Sequence, residues 1–322
     1  MRAVVYTGAG GHEVVQLRDV AAPEPGPRQV RVRIRAAGLN RADVYQRRGH
    51  YPAPPGSPVD IPGLEYAGEI EALGPGVSRW KIGDRVMGLV GGGTHAEYVV
   101  AHEAEVLPVP VQLDFTQAAV IPEAFFTAYD ALVTRARLAP GERVLIHAVG
   151  SGIGTAAVQI ARLLGAHSLG TSRTPDKLAR AKELGLEIGI LTGVGADLRS
   201  ALGEPVNVIV DVLGGPAWAD NLAVLAPLGR MVVLAFLQGP QISTDFTPLL
   251  RKRLEIIGSV MRTRSLEERI ELVAAFRRDM LPHFATGELK PVVGSVLPMT
   301  EIAAAHHAME TNETFGKLVL VW

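Results

Sequence analysis

The stretch that decides the fold is RVLIHAVGSGIGTAAVQIARLLG, from Arg143 to Gly165. It begins with an apolar run typical of a buried strand and ends with apolar side chains at helical spacing. Between them lie Gly150, Gly152 and Gly154, which allow a tight turn and close approach of a pyrophosphate to the helix N-terminus. We therefore expect a dinucleotide-binding turn. Because Thr155 stands where G-x-G-x-x-G requires its third glycine, a glycine-rich turn without a ligand stays the alternative.

The chain continues with the same alternation as far as residue 262. AHSLGTS predicts a second strand, and Pro175 and Gly185 mark the beginning and end of a second helix. Further strands are predicted at VNVIVDVLG, GRMVVLAF and LEIIGSVM. Repeated strand–helix alternation predicts a parallel, doubly wound sheet, so we assign residues 124–262 to an α/β domain of the Rossmann type.

The remainder of the chain is rich in β-structure. QVRVRIRAAG alternates apolar and charged residues with the period of a half-buried strand, and short strand-like runs separated by Gly and Pro follow it up to residue 123. Near the C-terminus, LEERIELVAAFRRDMLPHF predicts one helix and GKLVLVW a last strand. We expect residues 263–322 to rejoin residues 1–123 in one β-rich domain.

Composition narrows the class of function. The chain has 322 residues, a net charge of −1 and no cysteine, so disulfides and thiolate metal sites are excluded and a cytoplasmic location is expected. The near-neutral charge favours neither nucleic acid nor anionic membranes, although the short basic runs at 47–48 and 251–253 leave nucleic-acid binding as a weaker alternative. The uncharged run 144–161 is interrupted by glycines, which argues against a membrane span.

The end of the second predicted strand indicates the cofactor. A site for NAD usually places a carboxylate there, whereas this strand ends with Ser172 and Arg173, and Lys177 follows one helical turn later. Cations and hydroxyl groups suit a 2′-phosphate, so we expect NADPH rather than NADH. The alternative is that Arg173 and Lys177 are solvated surface charges.

Several segments together resemble the medium-chain dehydrogenase/reductase superfamily, and within it the zeta-crystallin-like quinone oxidoreductases. They are GLNRADVYQRRGHYPAPPG, GLEYAGEI, GPGVSRWKIGDRVMGL, QAAVIPEAFFTAYDAL, VLIHAVGSGIGTAAVQIAR and FGKLVLV. The resemblance covers the whole chain. It implies a GroES-like β domain built from residues 1–123 and 263–322, an inserted Rossmann domain, and a homodimer formed through the Rossmann sheets.

The resemblance also explains why no metal is expected. Zinc-dependent alcohol dehydrogenases of this superfamily hold a catalytic zinc with cysteine and with a histidine just before a glutamate. In this chain Leu64 precedes Glu65, and no cysteine is available.

The segment GLNRADVYQRRGHYP is the expected active-site loop. The resemblance implies that the Tyr51 phenol faces the nicotinamide and the substrate carbonyl, with Tyr45 as a second candidate. It also implies that Asn40 hydrogen-bonds near the nicotinamide or its ribose, and that Asp43 braces the loop. The alternative for both tyrosines is a packing role.

The resemblance implies further cofactor contacts by position. Thr192 stands where relatives often place Tyr or His near the 2′-phosphate, so the smaller side chain is expected either to weaken NADPH binding or to shift that role towards Arg173. Lys317 is a weaker candidate. The other expected contacts are the turn residues Gly150, Ser151, Gly152 and Ile153, and for the nicotinamide side Thr127, Ala235, Phe236, Leu237, Ser259, Val260 and Met261.

The sequence therefore predicts a zinc-independent NADPH:quinone oxidoreductase that transfers hydride to a quinone in the cleft between its domains. Reduction of an activated C=C bond in an enone, enal or enoyl thioester needs the same hydride geometry and stays open. A non-catalytic, crystallin-like NADPH-binding protein is the alternative from another class.

Overall fold

The computed structural model describes residues 1–193 and 197–322. The strands are β1 Arg2–Tyr6, β2 Val15–Asp19, β3 Gln29–Leu39, β4 Glu65–Leu73, β5 Arg85–Leu89, β6 Tyr98–His102, β7 Val106–Pro108, β8 Arg143–Ile146, β9 His167–Ser172, β10 Ile188–Leu191, β11 Val206–Asp211, β12 Leu225–Val233, β13 Glu255–Gly258, β14 Val293–Pro298 and β15 Lys317–Val321. The helices are α1 Arg41–Arg47, α2 Phe115–Ala118, α3 Pro122–Tyr129, α4 Gly152–Leu163, α5 Pro175–Glu183, α6 Leu198–Leu202, α7 Trp218–Val224, α8 Thr247–Lys252, α9 Leu266–Asp279, α10 Leu281–Thr286 and α11 Ile302–Thr311.

The chain divides into two compact units. Unit 1 contains residues 1–126 and 261–322, and unit 2 contains residues 127–260. The boundaries expected from the sequence, after residues 123 and 262, lie a few residues away from this division. Over the described ranges, no helix combines the length and apolar character that crossing a lipid bilayer requires.

Unit 2 is built on a parallel sheet with strand order β10-β9-β8-β11-β12-β13. Counted from β8, this is the order 3-2-1-4-5-6 of a Rossmann fold, so the fold class predicted from the alternation is confirmed. The sequence analysis did not anticipate β10. This strand has four residues, lies at the sheet edge and is half exposed, so it lacks the continuous apolar run that marks a buried strand.

Unit 1 is built on a mixed sheet with strand order β14-β15-β3-β4-β5-β7. The long strand β3 pairs antiparallel with β4, β6 and β15, so the last strand of the chain joins the N-terminal strands, as predicted. The inward side chains of β3, including Val30, Val32 and Ile34, pack in one buried apolar cluster with residues of β4, β6 and α11. This pairing places the start of β15 beside the end of β3 and the start of β4.

The predicted helix over residues 266–284 is wrong in one respect, because the chain forms two helices there. α9 ends at Asp279 and α10 begins at Leu281, with Met280 between them. Pro282 explains the break, since proline has no N–H to bond the carbonyl group four residues earlier, in α9, and its ring clashes with that carbonyl group in a continuous helix.

Candidate functional site

The glycine-rich turn of unit 2 joins β8 to α4. Ser151 is the N-cap of α4, and its Oγ accepts a hydrogen bond from the Gly154 amide at 3.0 Å. A Cβ on Gly154 would lie 2.7 Å from the carbonyl oxygen of Ala148, so only glycine permits this close packing of helix against turn. The first N–H groups of a 12-residue helix are thus presented at the turn, an arrangement that binds phosphate oxygens.

The side chain of Lys177 lies against the same turn: a Cβ built on Gly150 would fall only 2.9 Å from Cδ of Lys177. Burial lowers the pKa of Lys177, and the charges of Arg173 and Arg180 lower it further, whereas the charge of Asp176 opposes the shift. The lowered pKa reflects in part repulsion between neighbouring positive charges, which a bound anion would relieve. The turn and these cations therefore fit the phosphates of a dinucleotide.

Ser172 and Thr192 are brought together by the pairing of β9 with β10. The amide of Thr192 donates to the Ser172 carbonyl oxygen at 2.8 Å, and the Thr192 hydroxyl donates to the same oxygen at 3.2 Å. The Thr192 hydroxyl is thus bonded to the main chain, which leaves charge recognition to the exposed Arg173 and to Lys177. Recognition of a 2′-phosphate stays a prediction.

The remaining expected cofactor contacts lie at the ends of strands in unit 2 or close to its boundary. Thr127 is buried on α3, and residues 235–237 follow β12. Residues 259–261 follow β13, where the Ser259 hydroxyl donates to Asp130 Oδ2 at 2.7 Å. The carboxyl ends of parallel strands are the edge at which such sheets bind ligands, so these positions suit the prediction without testing it.

A buried polar cluster beside the turn was missed by the sequence analysis. His147 Nδ1 lies 3.0 Å from Thr171 Oγ1, and its Nε2 lies 2.8 Å from Asn221 Oδ1. Burial lowers the pKa of His147, which keeps the ring neutral at physiological pH. Thr171 Oγ1 also accepts a hydrogen bond from the Ala148 amide at 3.3 Å, so the cluster orients the turn. A histidine inside the apolar run RVLIHAV was the available signal.

In unit 1, a buried ion pair connects three strands of the sheet. Lys317 at the start of β15 lies 2.6 Å from Glu65 Oε1 at the start of β4, and both side chains are almost fully buried. The Asn40 side chain, directly after β3, joins them: its Nδ2 donates to Glu65 Oε1 at 3.2 Å and its Oδ1 accepts from Lys317 Nζ. A Cβ on Gly38 would fall 2.1 Å from Glu65 Oε1, so glycine is required there.

Asp43 is fully buried and joins the main chain at Asn40 to the main chain at Gly63. Its Oδ2 accepts from the Asn40 amide at 2.8 Å, and its Oδ1 accepts from the Gly63 amide at 3.0 Å. Tyr45 lies on the same helix, α1, and is partly exposed. The structure therefore groups Asn40, Asp43 and Lys317 in unit 1, while any contact of Asn40, Tyr45 or Lys317 with a cofactor stays a prediction.

Glu123 is a second acidic group beside this ion pair. It lies at the start of α3, and its amide donates to Glu65 Oε2 at 2.8 Å. Burial, followed by the charge of Glu65 and opposed by that of Lys317, raises the pKa of the Glu123 carboxyl to about 7. The side chain therefore holds a proton in part of the molecules at neutral pH. The signal in the sequence was one acidic residue inside the apolar run AAVIPEAFF.

Tyr51 lies in the irregular segment between α1 and β4 and is partly buried. Burial, and secondly the charge of Glu123, raises the pKa of its phenol, whereas the charge of Arg262 lowers it. The Arg262 guanidinium lies 4.8 Å from the centre of the Tyr51 ring, a distance at which a cation is attracted by an aromatic face. Tyr51 is therefore in contact with Arg262, and Glu123 acts on the phenol through its charge.

Leu64, which stands at the expected position of a zinc-ligating histidine, is buried next to Glu65. Within the described part of the chain, no three His, Asp or Glu side chains are grouped so that they could hold a metal ion.

Comparison with known proteins supplies the family. The chain matches the models of the alcohol dehydrogenase GroES-like domain over residues 26–111 and of zinc-binding dehydrogenase over residues 152–275. The quinone oxidoreductase of Homo sapiens is 34% identical over 335 residues, which cover 100% of this chain and 98% of that protein. The chain belongs to the medium-chain dehydrogenase/reductase superfamily. The family and the two-domain fold class predicted from the sequence are thereby confirmed.

Solved structures of the superfamily agree. An NAD-dependent alcohol dehydrogenase aligns with a TM-score of 0.89 at 34% identity, covering 100% of both chains. The CurK enoyl reductase aligns with a TM-score of 0.85 at 28% identity, covering 99% of this chain and 98% of that chain. As a medium-chain dehydrogenase/reductase, the protein is an oxidoreductase that binds a nicotinamide dinucleotide.

Proposed function

We propose that this medium-chain dehydrogenase/reductase is an NADPH-dependent, zinc-independent quinone reductase. The observation that carries the proposal is the group Tyr51, Glu123 and Arg262, which offers a proton donor in unit 1, where Leu64 and the lack of cysteine provide no zinc ligands. The full-length similarity to a quinone oxidoreductase supports the substrate class. The cationic residues beside the glycine turn support NADPH as the cofactor.

The chemistry requires a hydride and a proton. A reduced nicotinamide held by unit 2 supplies the hydride, which carries both electrons of the reduction. Negative charge then develops on a quinone oxygen, and the phenol of Tyr51 stabilises it by donating a hydrogen bond. One proton completes the hydroquinone. That proton comes from solvent, while Glu123, whose pKa is raised to about 7, influences the phenol of Tyr51 through its charge.

Reduction of an activated C=C bond is a second candidate function. It is favoured by the structural similarity to the CurK enoyl reductase. The same hydride and the same hydrogen-bond donor serve an enolate oxygen as well as a quinone oxygen.

The first experiment follows the oxidation of NADPH and, in parallel, of NADH by absorbance, with ortho-quinones, para-quinones and 2-enals as acceptors. Turnover of quinones with NADPH supports the proposal, and turnover of enals alone moves the function to C=C reduction. Tight NADPH binding without reduction of any acceptor supports the crystallin-like, non-catalytic alternative. A Tyr51→Phe variant with an unchanged kcat would remove the phenol from the mechanism.

The cofactor preference has its own test. Arg173→Ala removes one cation from the proposed 2′-phosphate site, and a charge-assisted hydrogen bond contributes about 1.5–3 kcal/mol, so Kd for NADPH should rise roughly tenfold to a hundredfold. Kd for NADH should stay unchanged, and Lys182→Ala, at an exposed position of the same helix as Lys177, is the control. Nicotinamide fluorescence measures both constants, and equal affinity of the wild type for both cofactors would contradict the preference.

We also propose that the protein is a cytoplasmic homodimer. Edge strands such as β13 expose unpaired backbone groups, and Phe246 and Leu250 nearby in the sequence are exposed apolar residues of unit 2. Light scattering after size-exclusion chromatography tests the dimer, and a monomer at micromolar concentration would contradict it.

A further inference from the structure

Arg262 is buried in unit 1 and donates three hydrogen bonds there. It is 6% exposed, and its Nε donates to the Gly91 carbonyl oxygen at 2.9 Å. Its Nη1 donates to the Tyr51 carbonyl oxygen at 3.0 Å, and its Nη2 donates to Gln46 Oε1 at 2.7 Å. All three nitrogens of one guanidinium are therefore used to join separate segments of unit 1.

The segment that carries Tyr51, residues 48–64 between α1 and β4, contains neither helix nor strand. Its C-terminal end is anchored, since the Asp60 carbonyl oxygen and the Gly63 amide both form hydrogen bonds. Directly before Tyr51, the His50 amide donates to the carbonyl oxygen of residue 45 at 2.9 Å. At the Tyr51 carbonyl group, the side chain of Arg262 supplies the hydrogen bond.

We propose that Arg262 is a positioning residue for Tyr51, which holds the phenol in place through the Tyr51 carbonyl group and the face of its ring. The hydrogen bond fixes the main chain, and the stacked guanidinium fixes the orientation of the ring. The catalytic consequence rests on the proposed function, whereas the anchoring of the loop does not.

Lysine cannot take over this role. A guanidinium is planar, so it donates to three separate acceptors while its face lies on an aromatic ring. An ammonium keeps the charge but loses the fixed directions of the donors. Arg262→Lys therefore separates the geometry of the contacts from the charge beside the phenol.

The experiment combines kinetics with hydrogen exchange in the full-length protein. Arg262→Lys is expected to lower kcat for quinone reduction about tenfold to a hundredfold, because small displacements of a catalytic group have large effects, while KM for NADPH stays unchanged. In a Tyr51→Phe background, the same change should lower kcat less than about threefold, since its effect acts through the phenol. Equal losses in both backgrounds would overturn the positioning role.

Hydrogen exchange measures the anchoring independently of activity. In Arg262→Lys, amides of residues 49–57 should exchange about tenfold faster than in the wild type. Arg269→Lys is the matched control, since Arg269 is another arginine of unit 1, paired with Glu105, and should leave this exchange unchanged. If Arg262→Lys cannot be obtained folded, Arg262→Gln, which buries no charge, replaces it. Unchanged exchange would overturn the proposal, whereas faster exchange in a protein that reduces no acceptor would overturn only the proposed function.

Discussion

Glu123→Gln should make the protein more resistant to unfolding than the wild type as the pH rises above about 4.5. The folded protein raises the pKa of this carboxyl from 4.5 to about 7. Between these values the folded state keeps a proton that the unfolded state has lost, so the free energy of unfolding falls as pH rises. Below pH 4.5 both states are protonated, and above pH 7 the loss is complete.

The magnitude follows from the size of the shift. Each pKa unit corresponds to about 1.4 kcal/mol, so ionisation of Glu123 removes about 3 kcal/mol of stability in total. Glutamine has nearly the same shape and does not titrate. The difference in unfolding free energy between the variant and the wild type should therefore grow by about 2–3 kcal/mol, in favour of the variant, between about pH 5 and about pH 8.

Urea unfolding followed by circular dichroism at both pH values measures this difference. All groups that titrate identically in both proteins cancel in the comparison. Glu313→Gln, the same substitution at an exposed position of unit 1, is the control and should show no pH-dependent difference. If the Glu123→Gln difference is the same at both pH values, the carboxyl is not held neutral by its surroundings, and the raised pKa assigned to it is wrong.

Two further predictions concern the buried ion pair of unit 1 and the glycine-rich turn of unit 2. Lys317→Met leaves Glu65 as an unpaired buried charge and should lower the unfolding free energy by about 3–5 kcal/mol. The double variant Lys317→Met/Glu65→Gln should regain most of this loss. Urea unfolding measures both variants, and losses that simply add would contradict the buried pair. Gly154→Ala places a Cβ 2.7 Å from the turn backbone, so dinucleotide binding measured by fluorescence should weaken at least tenfold. Gly141→Ala, where a Cβ meets open space but φ is +78°, controls for backbone strain. Equal binding by Gly154→Ala and the wild type would contradict the role of the turn.

Much of the fold was accessible from local patterns. The glycine turn, the Rossmann alternation and the return of the last strand depend on periodicity and on glycine and proline positions, which are properties of short segments. The short edge strand β10 was missed because it has little apolar signal. The break at Met280 was missed because a single proline interrupts an otherwise continuous helical pattern of apolar residues.

The candidate site was accessible only in part. Asn40, Asp43, Tyr51 and, as a weaker candidate, Lys317 were named through a family resemblance, whereas Glu123 and the pairing of Lys317 with Glu65 were not anticipated. Glu65 and Lys317 lie far apart in the chain and meet because β15 pairs with β3 and β3 with β4. Arg262 was also missed, because a single arginine after a strand has no local feature that distinguishes it from a solvated one.

The sequence by itself determined the α/β class, the nucleotide-binding turn and the absence of thiolate ligands, since each depends on residues that are neighbours in the chain. The tertiary structure alone decided which charges are buried and which carboxyl and phenol groups have a raised pKa. The raised pKa of Glu123 requires burial and a second carboxylate at once, and the placement of Tyr51 requires a guanidinium from a segment some 210 residues away. Electrostatic effects of this kind depend on distance in space and on exclusion of water, which only the folded chain provides.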